Sequence, residues 1–274
     1  MKLLLLNPSQ GKVYGKMRPP VQMHMGLAYL AAVVQKRGYP LEIIDMDAEG
    51  LSAQDLSHRI KEDDFGLAGI TVTTPTLGSS LVIADCIKKI SPKIRVVFGG
   101  MHPSIMPGQT IAREEVDFVI KGEGELTLVE LLRALKENRA LHGIDGLLFK
   151  EDGRIIENKE RGLIQDLDLL PFPARDLFKV KAYTYPDAIS RATVPMITSR
   201  GCPGRCTYCN ASSIFSRKFR ARSARSVVDE IEFLIKRLSV KEIHIWDDNF
   251  ATIKERVHQI KEEILRRGLK VKFA

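Results

Sequence analysis

The chain has 274 residues, of which 44% are hydrophobic and 28% charged; 42 Lys and Arg against 34 Asp and Glu give a net charge of +8. That length supports one large domain or two ordinary ones, each with a real core, and the composition is that of a soluble globular protein. The basic excess permits a polyanionic partner without implying one, and no apolar run approaches the roughly 18–20 residues of a membrane span.

The chain opens Met1-Lys2-Leu3-Leu4-Leu5-Leu6-Asn7-Pro8. This apolar stretch is too short for a secretory signal and has no small-residue cleavage site, so it reads as a buried first strand and the expected compartment is the cytoplasm. Further apolar runs at Leu41–Asp45, Leu67–Thr73, Arg95–Phe98 and Phe118–Lys121 read as strands buried on both faces of a parallel sheet. Helical patterns at Gly26–Lys36, Ala53–Lys61, Ser79–Ile90 and Leu126–Glu137 separate them. The alternation predicts an α/β domain over residues 1–138: a doubly wound parallel sheet, flavodoxin-like in strand order.

The texture then changes. Gly146–Phe149 and Arg154–Glu157 flank Asp152-Gly153, a hairpin signal, and a proline-punctuated stretch follows, so residues 139–192 read as a hairpin and connector. From residue 193 a second α/β pattern begins. Pro195–Ser199 and Glu242–Trp246 are expected strands, Ser226–Leu238 and Lys254–Arg267 expected helices, and Lys270–Phe273 starts another strand where the sequence ends. Two and a half βα units neither close a barrel nor finish a sheet, so the expectation is a fragment of a longer protein or else an unusually small second domain.

Three of the four cysteines, Cys202, Cys206 and Cys209, fall within eight residues, spaced C-x3-C-x2-C directly after a predicted strand. Clustering in a reducing compartment argues for metal and not disulfides. Cys86 lies alone in an amphipathic helix pattern and reads as a buried packing residue. Three thiolates can hold three irons of a [4Fe–4S] cluster and leave the fourth open for a substrate. Structural zinc, the alternative, wants a fourth ligand. The nearest downstream histidine, His244, lies inside a predicted strand. Ferredoxin spacing would need a fourth cysteine.

The segment Cys202-Pro203-Gly204-Arg205-Cys206-Thr207-Tyr208-Cys209 resembles the radical SAM superfamily, whose signature is C-x3-C-x-aromatic-C. The resemblance implies that Cys202, Cys206 and Cys209 ligate a [4Fe–4S] cluster and that S-adenosylmethionine (SAM) chelates the open iron. One electron then cleaves SAM to methionine and a 5′-deoxyadenosyl radical. It also implies that the pattern from residue 193 is the start of a partial (βα) barrel, and that Tyr208 lies near the adenine, the alternative being an ordinary aromatic. At the end of the next strand, where the family often has Gly-Gly-Glu facing the SAM amino group, this chain has Asp247-Asp248-Asn249-Phe250. Asp247 or Asp248 could accept that ammonium, or one could cap the following helix. The cations between Arg217 and Arg225 read as a solvated loop, with one Arg available to the SAM carboxylate. Glu230 and Glu232 read as surface or packing residues, Glu230 also as a weak polar-site candidate.

The first domain resembles the cobalamin (B12)-binding domain that precedes many radical SAM domains, on Gly26-Leu27-Ala28-Tyr29-Leu30-Ala31-Ala32, Gly99-Gly100-Met101-His102-Pro103 and Gly122-Glu123-Gly124-Glu125. Ligands of such sheets bind at strand C-termini. The resemblance implies that Thr71, Thr73, Thr74, Gly99, Gly100, His102, Gly122, Glu123 and Gly124 line the corrin; His102 could equally be a loop residue. No Asp is followed two positions later by His, so the Asp-x-His-x-x-Gly motif that supplies a cobalt ligand in other B12 domains is missing. Cobalamin could also have been lost from this fold.

These resemblances imply a cobalamin-dependent radical SAM enzyme, first of all a methyltransferase acting on an unreactive carbon or phosphorus centre. A radical SAM cyclase or rearrangement enzyme of tetrapyrrole-type chemistry and a non-catalytic cobalamin-binding module are the alternatives. The expected partners are a small-molecule or natural-product substrate and an electron donor such as flavodoxin or ferredoxin. Nucleic acid and a membrane span are not expected.

Overall fold

The computed structural model describes residues 1–14, 20–209 and 212–274. They divide into two compact units: Met1–Leu163 with Pro173–Ala182, and Ile164–Phe172 with Tyr183–Ala274.

In the first unit, five strands run parallel: β1 (Lys2–Asn7), β2 (Leu41–Asp45), β3 (Phe65–Thr71), β4 (Arg95–Gly99) and β5 (Phe118–Ile120). The connecting helices include α1 (Met25–Lys36), α2 (Ala53–Lys61), α3 (Leu77–Ile90) and α4 (Gly124–Glu137). The strand order β2-β1-β3-β4-β5 is the doubly wound pattern expected. The continuous apolar runs have the predicted cause: Leu3, Leu4, Leu5 and Leu6 are at most 1% exposed, because helices cover both faces. On one face Leu4, Leu6, Ala68, Ile70, Val96 and Phe98 join Ile83, Ala84 and Ile87 of α3 in a single cluster.

The hairpin of β6 (Leu147–Glu151) and β7 (Arg154–Glu157) does not stand apart from this unit. It extends the sheet antiparallel, β6 pairing with β5 through Phe118–Phe149 and Ile120–Leu147. Leu147, Leu148 and Phe149 are therefore core residues. The connector also returns to this unit at Ala174, whose N–H donates to the Ala28 carbonyl (3.0 Å).

The second unit holds a parallel sheet of order β12-β11-β8, from β8 (Thr193–Met196), β11 (Glu242–Ile245) and β12 (Lys272–Phe273). Helices α5 (Ala224–Leu238) and α6 (Lys254–Arg266) link them, as in consecutive units of a (βα) barrel. Between β8 and α5, β9 (Ser199–Arg200) and β10 (Arg220–Ala221) form a short antiparallel pair. At the opposite end, the buried Glu242 carboxylate accepts the N–H groups of Ile189 (2.9 Å) and Ser190 (2.7 Å), tying the connector to the sheet.

Several charges expected at the surface are inside. Glu230 is fully buried and pairs with Arg222, which is 5% exposed. Arg222 also donates from Nη2 to the Ser226 carbonyl oxygen (2.9 Å). Arg220 is buried too and donates to the Ile164 carbonyl oxygen (2.6 Å). The cation run is thus part structural and part solvated, Arg217, Lys218 and Arg225 remaining exposed. A buried ion pair with further hydrogen bonds avoids the cost of an uncompensated charge. Among the described residues no helix is long and apolar enough to cross a membrane.

Candidate functional site

Strand C-termini of α/β folds point loops, not side-chain layers, at ligands, so functional groups gather there. Both units follow that rule.

In the second unit, β9 leads straight into the cysteine loop. Gly201 has φ +82°, and an added Cβ would run into the Lys218 carbonyl oxygen, which β9–β10 pairing brings against the loop. Only glycine satisfies both conditions. Gly204 lies between two thiols: a Cβ there would sit 3.3 Å from Cys202 Sγ and 3.9 Å from Cys206 Sγ. The Gly204 N–H donates to Cys202 Sγ (3.4 Å), the kind of bond that stabilises a thiolate. A turn closes with the Cys209 N–H on the Cys206 carbonyl (3.2 Å). Cys206 and Cys209 are exposed and Cys202 half-buried. Tyr208 is 90% exposed, presenting its ring to whatever binds beside the loop. Cys202 and Cys206 are thus brought together around Gly204. Among the described residues, no three His, Cys, Asp or Glu side chains form a ready-made metal cage. The donor set fits an iron–sulfur cluster in type, number and access: three thiols on one open loop, with a backbone N–H already on sulfur.

The two aspartates after β11 part company. Asp247 accepts four bonds, from the N–H groups of Thr198 (2.6 Å) and Ser199 (3.0 Å) on Oδ1 and from their hydroxyls (2.5 and 2.6 Å) on Oδ2. A carboxylate has about four acceptor positions, and Thr198 and Ser199 between them take four at Asp247. Asp248 is exposed and accepts the Gly201 N–H through Oδ2 (3.0 Å). Beside them Arg256, in the first turn of α6, donates from Nη2 to the carbonyl oxygen (2.8 Å) and hydroxyl (2.7 Å) of Thr198. Burial holds its guanidinium below the usual Arg range, with Asp247 opposing that shift. Arg256 and the fully buried Thr198 carry no expectation of a site role from the sequence. A charged residue in an amphipathic helix and a lone Thr after a strand carry no signal of burial.

In the first unit, Thr71 ends β3 and Thr73 and Thr74 form the exposed loop after it. Thr76 caps that loop, its hydroxyl accepting the Thr73 N–H (3.0 Å). Gly100 has φ +101°, and a Cβ there would lie 3.1 Å from both Thr71 Oγ1 and the Val72 carbonyl oxygen. Gly99 and Gly122 face open space instead, with nothing within 4 Å of an added Cβ. The Gly122 N–H donates to Ser104 Oγ (3.0 Å), and Glu123 and Gly124 start α4. Gly124 packs closely, a Cβ meeting Ile120 and Leu30 at 3.4 Å.

His102 is 6% exposed; Nδ1 lies 3.1 Å from Thr74 Oγ1, and Nε2 is buried without a hydrogen-bond partner among the described residues. Burial pushes its pKa down. A second histidine, His24, was not anticipated. Its Nδ1 accepts the Leu27 N–H at the start of α1 (3.2 Å), so Nε2 carries the proton and donates to Thr71 Oγ1 (3.1 Å). Loss of hydration lowers its pKa to about 4. Thr71 therefore keeps its own hydroxyl proton to donate. An orphaned imidazole nitrogen, a donor hydroxyl and two open glycines fit an edge-on amide-bearing ligand such as a corrin.

Fold and site together describe a two-part cofactor protein: a doubly wound domain with a polar strand-end rim, and βα units carrying a three-cysteine loop. Comparison with known proteins agrees. Residues 11–132 match the B12 binding domain family and residues 196–274 the Radical SAM superfamily. The chain is 36% identical over 275 residues to an uncharacterized methyltransferase of Pyrococcus horikoshii, covering 99% of this chain and 58% of that protein. It is 28% identical to the cytidylyl-2-hydroxyethylphosphonate methyltransferase of Streptomyces wedmorensis (98% and 58%) and 25% identical to the anaerobic magnesium-protoporphyrin IX monomethyl ester cyclase of Synechocystis (99% and 54%). The fold superimposes on OxsB, a cobalamin-dependent SAM radical enzyme solved with aqua-cobalamin and SAM bound, with TM-score 0.82 at 21% identity, over 99% of this chain and 38% of that one. The chain thus carries a B12-binding domain match ahead of a radical SAM domain match. It spans a little over half the length of these curated relatives.

Two outcomes are expected. Gly201→Ala should leave the first unit intact while the reconstituted protein holds less than about half the wild-type iron, because the loop cannot pass Lys218; wild-type iron content would refute the steric argument. His24 and His102 are held neutral, with pKa values below the unfolded one near 6.5. Their contribution to stability is complete above about pH 6.5 and is lost as pH falls through the folded-state pKa, which for His24 is about 4. His24→Asn should flatten the fall in urea midpoint between pH 7 and 5; an unchanged fall would place the titration elsewhere.

Proposed function

We propose that this chain is the cofactor-binding part of a cobalamin-dependent radical SAM methyltransferase, holding a [4Fe–4S] cluster on Cys202, Cys206 and Cys209. The observation that carries this reading is the three-thiol loop at the C-terminal edge of the β8–β11–β12 sheet, with the Gly204 N–H on Cys202 Sγ. When bound, the cluster would supply the electron that cleaves SAM, and cobalamin a transferable methyl group.

The chain's own residues do the positioning. Gly201 lets the loop turn under Lys218, and the Gly204 N–H offsets thiolate charge. Asp248, exposed and one bond from the loop, is the acceptor for the SAM ammonium, and Tyr208 offers a flat apolar face to its adenine. In the first unit, Thr71, Thr73, Thr74, His102 and the glycines Gly99, Gly100, Gly122 and Gly124 line the corrin, with Glu123 heading α4 behind them. Thr71 donates because His24 already donates to it.

Methyl transfer to a small-molecule carbon or phosphorus centre is supported by two relatives named as methyltransferases. Ring formation is the second reading, supported by the cyclase relative. A low-potential flavodoxin or ferredoxin would supply the electron.

The test is anaerobic reconstitution with iron, sulfide and hydroxocobalamin, followed by reduction in the presence of SAM. Wild type should retain corrin absorption after desalting and form 5′-deoxyadenosine, and Cys202→Ala should retain the corrin but form none. Equal 5′-deoxyadenosine from both proteins, or none from an iron-loaded wild type, would contradict the proposal.

A further inference from the structure

Thr198 stands at the neck of the cysteine loop and is fully buried. Every polar group it owns is used. Its N–H and hydroxyl donate to Asp247, and its carbonyl oxygen accepts from the Arg222 N–H (3.0 Å) and from Arg256 Nη2 (2.8 Å). Its hydroxyl oxygen also accepts from Arg256 Nη2 (2.7 Å). Ser199, the next residue, gives Asp247 its N–H and hydroxyl as well. Two residues later the Gly201 N–H binds Asp248. The turn after β11 thus accepts five hydrogen bonds from the three residues Thr198, Ser199 and Gly201, immediately before Cys202.

The arrangement has a direction. In these five bonds the donors come from the β9 side and the acceptors from the turn after β11. Arg256 reinforces it from α6, and its Nε donates to the Arg222 carbonyl oxygen (3.0 Å), reaching the entry to α5. Such a clamp fixes where the chain leaves the sheet, and hence where the first thiol starts. Carboxylate acceptors make stronger hydrogen bonds than neutral ones. Asn at 247 could accept at one oxygen only and would set an NH2 against the two hydroxyls.

We propose that Asp247 is a positioning residue for the cluster: with Asp248 and Arg256 it clamps Thr198–Ser199–Gly201 and so presents Cys202 for iron. This rests on the reading that the loop holds a [4Fe–4S] cluster, and it gives the first aspartate of Trp246-Asp247-Asp248-Asn249 a task other than binding SAM.

The test compares wild type, Asp247→Asn and Ser199→Ala, the last removing one hydroxyl from the same clamp and sparing the buried carboxylate. Three quantities are read: amide exchange at Thr198 and Ser199 without iron, the rate at which bathophenanthroline disulfonate strips iron from reconstituted protein, and SAM affinity of the iron-loaded fraction. Removal of supports around metal ligands typically costs 10–100-fold. Asp247→Asn should therefore raise amide exchange and iron loss about tenfold or more, Ser199→Ala should raise both by less, and SAM affinity should stay within about twofold of wild type. Unchanged exchange and iron loss in Asp247→Asn, with SAM affinity falling instead, would overturn the clamp and make Asp247 an ammonium acceptor. A wild type that takes up no iron would overturn the cluster reading itself, while the exchange data would still judge the clamp. Far-ultraviolet circular dichroism checks that both variants fold. If Asp247→Asn does not fold, Ser199→Ala decides, its exchange and iron loss rising or the clamp failing.

Discussion

The cysteine loop can exist in its observed path only because two backbone segments almost touch. Gly201 passes so close to the Lys218 carbonyl that no side chain fits between them. That approach follows from β9 pairing antiparallel with β10, Arg200 opposite Arg220 and Ser199 opposite Ala221. The pairing is held in turn by charges taken out of water: Arg220 on the Ile164 carbonyl, Arg222 on Glu230. Remove either partner of the ion pair and the other charge is left buried alone, a loss of roughly 3–5 kcal/mol in comparable cases. The polar interior of the second unit is therefore a support for the loop.

The first unit solves a different problem with more ordinary means. Its core is aliphatic, and its strands end in a rim of small and hydroxyl-bearing residues. What the rim can do depends on proton placement. His24, fixed by the Leu27 N–H, must donate to Thr71, and Thr71 must then donate outward. His102 keeps one nitrogen unspent. These are the marks of a surface prepared for a ligand with acceptor groups on its edge, and an unpaired buried nitrogen is otherwise a cost.

Legibility in the sequence followed what each feature depends on. The five parallel strands were readable because burial on both faces needs an unbroken apolar run, and β1 with its four leucines is the plainest case. The cysteine triad was readable because metal chemistry restricts both residue type and spacing. The hairpin was visible as a hairpin, but a Lys-Glu-Asp-Gly-Arg turn says nothing about which sheet its first strand will join. Glu230, read as a surface or packing residue and a weak polar-site candidate, and Arg222, one of a run of loop cations, lie eight positions apart, and nothing in that spacing announces the buried pair they form. Asp247 stands out in the sequence as a carboxylate at a strand end, but the four donors it meets lie 48 and 49 residues away, beyond any local pattern. Cys86, read as buried, is half-buried in α3 with its sulfur 2.9 Å from Ser57 Oγ.

The function proposed for this site turns on whether the three thiols hold a cluster with one iron left open for SAM. The most direct measurement is the electron paramagnetic resonance spectrum of the reconstituted, reduced chain before and after adding SAM. An open iron held on the three thiols gives a reduced [4Fe–4S] signal that changes shape with SAM and is missing from Cys202→Ala. A signal indifferent to SAM, or one that survives the loss of Cys202, would contradict it.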